Sequence, residues 1–346
     1  MKKLYTLILL TVVAYQTWGQ SSSPAQTLRL ATSTYEQGRL HELEKILSNL
    51  TDFTVEQKVA AYKLLTQAYI YLEEPKKADE AMLKLLETSH YFEVNKDIDP
   101  AEFVALYNTF RTNAVYSIGM KLGLGTVAPL VMTDYYTASG SEGTGKFSPG
   151  ASFLGGLFFE KKIYRNFVAS PELLFAARKF KSQSKLFTRD ITGISDGSII
   201  STYKQNWIDL NAMVQYVFGK SSTFKTFITA GPGISYNIKS MKQTVTTGLS
   251  ESSISGPDID IKDSMSPLLY SVSVGAGFKL RIGSIIVHGE ARFIQGLNNI
   301  IDKNARTNIE NVLDYGDQLN DLGVSSLTGN LGVSLPIFKP AKLNNK

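Results

Sequence analysis

From Asn113 to Phe338 apolar and polar residues alternate with a period of two, in stretches longer than soluble sheets use. In QNWIDLNAMVQYVF, Ile208, Leu210, Ala212, Val214, Tyr216 and Phe218 alternate with Trp207, Asp209, Asn211, Met213 and Gln215. In SPLLYSVSVGAGFKLRI, Tyr270, Val272, Val274, Ala276, Phe278 and Leu280 alternate with Ser271, Ser273, Gly275, Gly277, Lys279 and Arg281. Similar alternation near 115–124, 148–159, 165–179, 224–239, 285–294 and 325–338 brings the expected number of strands to about eight. Soluble strands average about five or six residues. These run about ten to fifteen, enough to cross a bilayer at a tilt of about 45°.

The connections give an independent test. In order they run long (about 125–147), short (160–164), long (180–203), short (219–223), long (240–266), short (282–284) and long (295–324). Strict alternation of long outer loops and short inner turns, with an even strand number, is the pattern of a single-chain outer-membrane barrel. Closure also pairs every backbone group in lipid, which an open sheet cannot do. The expectation is an eight-stranded antiparallel transmembrane barrel over 115–338, followed by a periplasmic tail at 339–346.

The first residues, MKKLYTLILLTVVAYQTWGQ, carry Lys2 and Lys3, an apolar run from Leu4 to Ala14 and small residues near Gly19. This reads as a secretory signal over 1–19, with cleavage near Gly19–Gln20. The apolar run is too short to span about 30 Å of hydrocarbon as a helix. The chain has no cysteine, which excludes disulfides and thiol chemistry. Its net charge of +5 is spread without a Lys/Arg-dense segment, which argues against nucleic-acid binding.

Between residues 23 and 112 the period is helical. AAYKLLTQAYIYL places Ala61, Leu64, Leu65, Ala68, Tyr69 and Leu72 on one face, and KKADEAMLKLLETS continues through Ala78, Met82 and Leu85 after Pro75. Asp99–Pro100 opens AEFVALYNTF, with Asp99 expected to cap and Pro100 to occupy the first turn. Leu30, Gly38, Leu43, Leu47 and Leu50 precede Leu65, Ala78, Met82 and Leu85 at a spacing of about 35, similar to the tetratricopeptide period of about 34. The expectation is a periplasmic, tetratricopeptide-like helical domain over 23–112 that docks a periplasmic or outer-membrane protein, with Tyr35, Tyr62, Tyr69 and Tyr71 as docking candidates. The rival reading is a small helical bundle.

The closing strand SLTGNLGVSLPIF puts Leu327, Gly329, Leu331, Val333, Leu335 and Ile337 on one face and ends at Phe338. With the loop rhythm, it resembles outer-membrane β-barrel proteins of the PorT-like, small OmpA/OmpX-like type, behind a tetratricopeptide-like segment. Eight residues follow Phe338, where such barrels end on the aromatic residue. The resemblance implies a barrel and names no single activity.

Ten charged or titratable residues fall on the inward face of the strands: Lys121, Glu172, Arg178, Asp209, Lys225, Lys279, Arg281, His288, Glu290 and Arg292. An eight-stranded barrel is only wide enough for side chains to fill, so a plug of paired charges is expected. The alternatives are a narrow pore, or a hydrolase or acyltransferase built on His288, for which a nearby serine is needed. Tyr116, Phe159, Phe167, Tyr216, Phe218, Tyr236 and Phe293 face lipid as an interfacial girdle. Gly140 to Lys146 spell GSEGTGK, but Phe147 stands where a P-loop needs Ser or Thr, and no strand-to-helix context surrounds it; no nucleotide is expected. Asp258, Asp260 and Asp263 cluster without the glycine and late Glu of an EF-hand. Neither a metal nor another cofactor is expected.

Overall fold

The computed structural model describes residues 23–133, 146–190, 193–219, 221, 223–247, 253–304 and 319–343. The signal segment and Gly140–Gly145 lie outside the described residues. The chain divides into two compact units, Val115–Ile337 and a helical unit that combines the residues before Val115 with Phe338 onward.

The helical unit holds α1 (Pro24–Glu36), α2 (Leu43–Ile46), α3 (Val55–Tyr71), α4 (Pro75–Thr88) and α5 (Ala101–Asn108). Ser23 with Gln26 and Thr54 with Gln57 form capping boxes that satisfy the first amides of α1 and α3. Pro75 starts α4, where its missing N–H costs nothing. Asp99 does not cap α5. Its carboxylate accepts from the Asn95 amide at 2.8 Å and pairs with Lys63, and Pro100 occupies the cap position. Leu43, Leu47, Ala61, Leu65 and Ala68 form one core, and Met82, Leu85, Leu86, Phe103 and Phe110 a second. Where the 35-residue spacing called for a full second helix, the chain makes a 3-10 turn and the four-residue α2, and Leu30 is exposed. Among the described residues no helix is long and apolar enough to cross a membrane.

The second unit contains β1 (Tyr116–Thr133), β2 (Lys146–Tyr164), β3 (Phe167–Asp190), β4 (Gly193–Phe218), β5 (Phe224–Thr247), β6 (Ser253–Asp260), β7 (Leu268–Ile282), β8 (Ile285–Gly296) and β9 (Asp321–Ile337). The pairing order β4-β3-β2-β1-β9-β8-β7-β5, with β4 also paired to β5, closes a ring of eight antiparallel strands. β6 stands outside the ring and takes over the edge of β5 beyond the point where β7 begins. The short turns fall where the alternation put them, between β2 and β3, β4 and β5, and β7 and β8.

Two expected long loops are largely strand. The β3–β4 ladder continues from Phe180↔Tyr203 to Asp190↔Gly193, and β5 runs to Thr247 against β6. Loop-like composition misled here: these stretches are rich in Ser and Thr, and Ser182, Ser201, Ser240, Lys242 and Thr244 among them are buried on the inward face. On β4 the outward residues are apolar from Ile208 to Phe218, which matches the ~9–11 residues a tilted strand needs to cross. Beyond Ile208 the outward positions become Asn206, Lys204 and Thr202. Ile118, Met120, Leu122, Leu124, Leu173, Leu210, Val274, Leu327 and Leu331 likewise present exposed apolar side chains on the outer face. An apolar band of this extent needs lipid to cover it. Leu122→Arg, near the middle of that band, is expected to destabilise the folded barrel by ~2–4 kcal/mol, while Lys204→Arg above the band changes little; denaturant unfolding in lipid vesicles reads both.

Candidate functional site

Inside the ring, the buried side chains form layers. In the central layer, Lys121 Nζ donates to Glu172 Oε1 at 2.6 Å and to Glu290 Oε2 at 3.1 Å. Arg292 donates through Nη1 and Nη2 to both oxygens of Glu172 at 2.6 and 2.8 Å, and through Nε to Glu290 at 2.6 Å. Two cations and two carboxylates thus close a cycle, Lys121–Glu172–Arg292–Glu290. Glu172 lies on β3 and Arg292 on β8, four places apart in the ring of eight, so their bidentate pair spans the bore. Such planar forks are the strongest charge-assisted hydrogen bonds available to a side chain.

Toward the short turns a second bridge crosses the bore. Lys279 on β7 donates to both oxygens of Glu160 on β2 at 2.8 Å, and these strands are also four places apart. His288 Nε2 lies 2.7 Å from Ser334 Oγ, and its Nδ1 is 3.9 Å from Glu160. Toward the long connections, Arg178 pairs with Asp209 on the neighbouring strand at 3.1 Å. In these three layers four cations, Lys121, Arg178, Lys279 and Arg292, face four carboxylates, Glu160, Glu172, Asp209 and Glu290, so the paired charge sums to zero.

Aromatic rings seat these cations. Lys121 stands 5.1 Å above Phe158, Lys279 5.3 Å above Phe227, and Arg178 5.5 Å above Trp207. The Phe158 and Phe227 rings each reach over a glycine. A Cβ on Gly119 would sit 2.4 Å from Phe158, and one on Gly277 2.7 Å from Phe227. The glycines leave room for the rings, and each ring supports a cation at about 0.5–2 kcal/mol.

Above Arg178 an apolar cluster shares the interior with the buried Ser182, Ser201, Gln205, Lys242 and Thr244. Val127, Leu154, Phe180, Tyr203, Trp207, Leu269, Leu322 and Val324 from the strands pack with Ile261, Met265, Ile300, Ile301 and Leu319 from the long connections. This cluster fills much of the bore on the side of the long connections. A cavity beneath it, lined by Arg178, Asp209, Asn211 and Ser271, has a volume of about 10 Å³, the lower limit for one water molecule.

Of the ten expected inward residues, Lys121, Glu172, Arg178, Asp209, Lys279, His288, Glu290 and Arg292 are buried, while Lys225 and Arg281 are half-buried close to the short-turn ends of β5 and β7. Sequence reasoning missed Glu160, which it placed in a turn; the alternation Ser152, Leu154, Phe158, Glu160 carries the inward face that far. It also missed Lys242, buried 5.1 Å from the Tyr203 ring in a stretch taken as loop. Asp258 pairs with Lys204 and Asp260 accepts from the Lys262 amide, and among the described residues no three His, Asp or Glu side chains gather as a metal site. Of the outward aromatics, Tyr116 stacks on Phe159 at 5.4 Å, and Tyr216 contacts Phe167 and Phe218 at 5.0 and 4.8 Å, forming a belt beside the short turns.

In the helical unit, Tyr35, Tyr62 and Tyr69 pack partly buried against its core and Tyr71 is exposed. Burial raises the phenol pKa of Tyr35, and the neighbouring Tyr71 adds to it. Lys77 bridges Glu44 and Glu74 at 2.9 and 3.0 Å and lies 5.4 Å from the Tyr69 ring. Its hydrogen bond to Glu44 raises the Lys77 pKa and lowers that of Glu44.

A protein-family model described as "Outer membrane protein beta-barrel domain" matches residues 108–302. Among solved structures, the chain is similar to Neisserial surface protein A (11% identity, TM-score 0.27, covering 64% of this chain and 97% of that one). It is also similar to OprG from Pseudomonas aeruginosa (9%, 0.30, 66% and 98%) and to the outer membrane enzyme PagL (15%, 0.23, 63% and 99%). No curated protein matches.

Removing one partner of a buried pair typically costs ~3–5 kcal/mol, whereas replacing both by apolar residues is nearly neutral. Glu172→Met and Arg292→Met are each expected to lower barrel stability by that amount, and the double variant to recover most of it. Unfolding of the four proteins in detergent gives the double-mutant cycle, and additive losses would contradict the cross-bore pairing.

Proposed function

Because the chain belongs to the outer membrane protein β-barrel domain family, we propose that it is a non-enzymatic anchor, whose barrel fixes it in the outer membrane and whose helical unit docks a protein partner on the periplasmic side. The observation that carries this reading is the filled bore: two cross-bore charge bridges below an apolar cluster. A conduit needs a continuous row of accessible polar groups, and these charges are spent on one another. The topology supports the placement. In outer-membrane barrels the short turns face the periplasm, and both chain ends leave the barrel at that side, beside Tyr116 and Ile337.

A barrel hydrolase is the second reading, favoured by one contact, His288 to Ser334 at 2.7 Å with Glu160 beyond. Three features weigh against it. Both Glu160 oxygens are engaged by Lys279. At 3.9 Å the Glu160–His288 contact is too long to orient the imidazole. Ser334 is 1% exposed, with no space for a carbonyl beside it. The contact serves better as one more inward hydrogen bond.

The docking role is tested by mass spectrometry of proteins co-purifying from detergent-solubilised outer membranes. Full-length protein is compared with a version lacking 24–110. A partner seen with the first and absent from the second is the expected result. Identical preparations, each free of partners, would remove docking from the account and leave the barrel's outer loops as the functional surface.

A further inference from the structure

The segment after the barrel is not a free tail. β9 ends at Ile337, and Phe338–Leu343 lies within the helical unit. Phe338 stacks on His90 with ring centroids 4.9 Å apart and meets Tyr91 edge-on at 5.0 Å. The His90 ring is itself held, its Nδ1 lying 2.9 Å from the Leu86 carbonyl at the end of α4. Farther along, Lys342 pairs with Phe110 as an antiparallel bridge: the Arg111 amide donates to Ala341 at 2.9 Å, and the Leu343 amide donates to Thr109 at 2.7 Å. The Lys342 ammonium then reaches Asp79 on α4 at 2.5 Å.

These contacts have the parts of a peptide-binding site. An aromatic slot takes one ring, a backbone edge at Thr109–Arg111 adds a strand, and a carboxylate takes a cation four residues after the ring. Main-chain bonds of this kind supply affinity and the side-chain positions supply specificity. The spacing is consistent: four extended residues advance ~13 Å, and the stretch of α4 from Asp79 toward His90 rises ~16 Å, a difference the lysine stem covers. Pro340, which has no N–H to donate, falls before the bonded residues. Phe110 is buried in the second helical core, so the edge that receives the tail is fixed by packing.

We propose that the helical unit carries a binding site for an extended peptide with an aromatic residue followed four positions later by lysine, and that the chain's own C-terminal segment, Phe338–Leu343, is its occupant. The segment acts as a latch. It closes the helical unit with the last described residues of the chain. The inference is independent of whether the helical unit also docks a partner.

The test uses a chain ending at Ile337, refolded in detergent and checked for a closed barrel by its heat-dependent gel shift. A labelled peptide, FKPAKLNNK, is titrated against it and against the full chain by fluorescence anisotropy. The truncated chain is expected to bind the peptide and the full chain to exclude it. Phe338→Ala or Lys342→Glu in the peptide should each weaken binding by about tenfold, on the scale of one aromatic pair or ion pair. Absence of peptide binding to a correctly folded truncated chain would overturn the proposal, as would equal binding to both chains. Should the truncated chain not fold, amide exchange at Arg111 and Leu343 in the full chain gives the same answer. Asp79→Lys and Lys342→Glu are expected to speed exchange singly and to restore protection together. Unchanged exchange in both single variants would overturn the latch.

Discussion

A charge placed inside a barrel within lipid has nowhere to find water, and it must be neutralised by another wall of the same barrel. That constraint organises this interior. The bidentate Arg292–Glu172 pair and the Lys279–Glu160 pair each join strands on opposite sides of the ring. They act as struts across the diameter, and their geometry requires the ring to be closed before they can form. Glycines at 119 and 277 make room for Phe158 and Phe227, whose rings seat Lys121 of the central cycle and Lys279 of the second bridge. The smallest and largest inward side chains are therefore arranged around the charges.

The same alternation that buries these groups covers the outside with Leu, Ile, Val and Met. Inward and outward faces consequently obey opposite rules, each determined by its surroundings. Where the strands rise beyond the apolar band, the outward face turns to Lys, Asn and Thr, while the inward face stays filled with Phe180, Tyr203 and Ile199. The extended β3–β4–β5 wall, edged by β6, is thus a continuation of the barrel that has changed solvent. Its interior joins residues from the long connections to make the apolar cluster.

Much of this was legible in the sequence, for a physical reason. Period-two alternation is enforced at every residue by lipid on one side and a crowded bore on the other, so parity alone placed eight of ten inward groups in the buried interior. The errors arose where one of those environments ends. Glu160 lies at the last inward position before a short turn and was assigned to the turn. The 180–203 stretch loses its apolar outward face and read as a loop, although its inward Phe180 and Tyr203 kept the period. The partners of the charges could not be read at all, because Lys279–Glu160 and Arg292–Glu172 join residues 119 and 120 positions apart. In the helical half, periodicity gave α3 and α4 but overstated the repeat, since the first pair's second helix is reduced to α2.

The measurement that bears most directly on the account is ion conductance of the purified full-length protein in planar bilayers. A bore crossed by neutral charge bridges beneath an apolar cluster predicts a silent protein at moderate voltage, with insertion confirmed by protease protection in the same lipid. Steady ohmic openings that shift with Glu172→Gln would contradict it and show that the interior conducts.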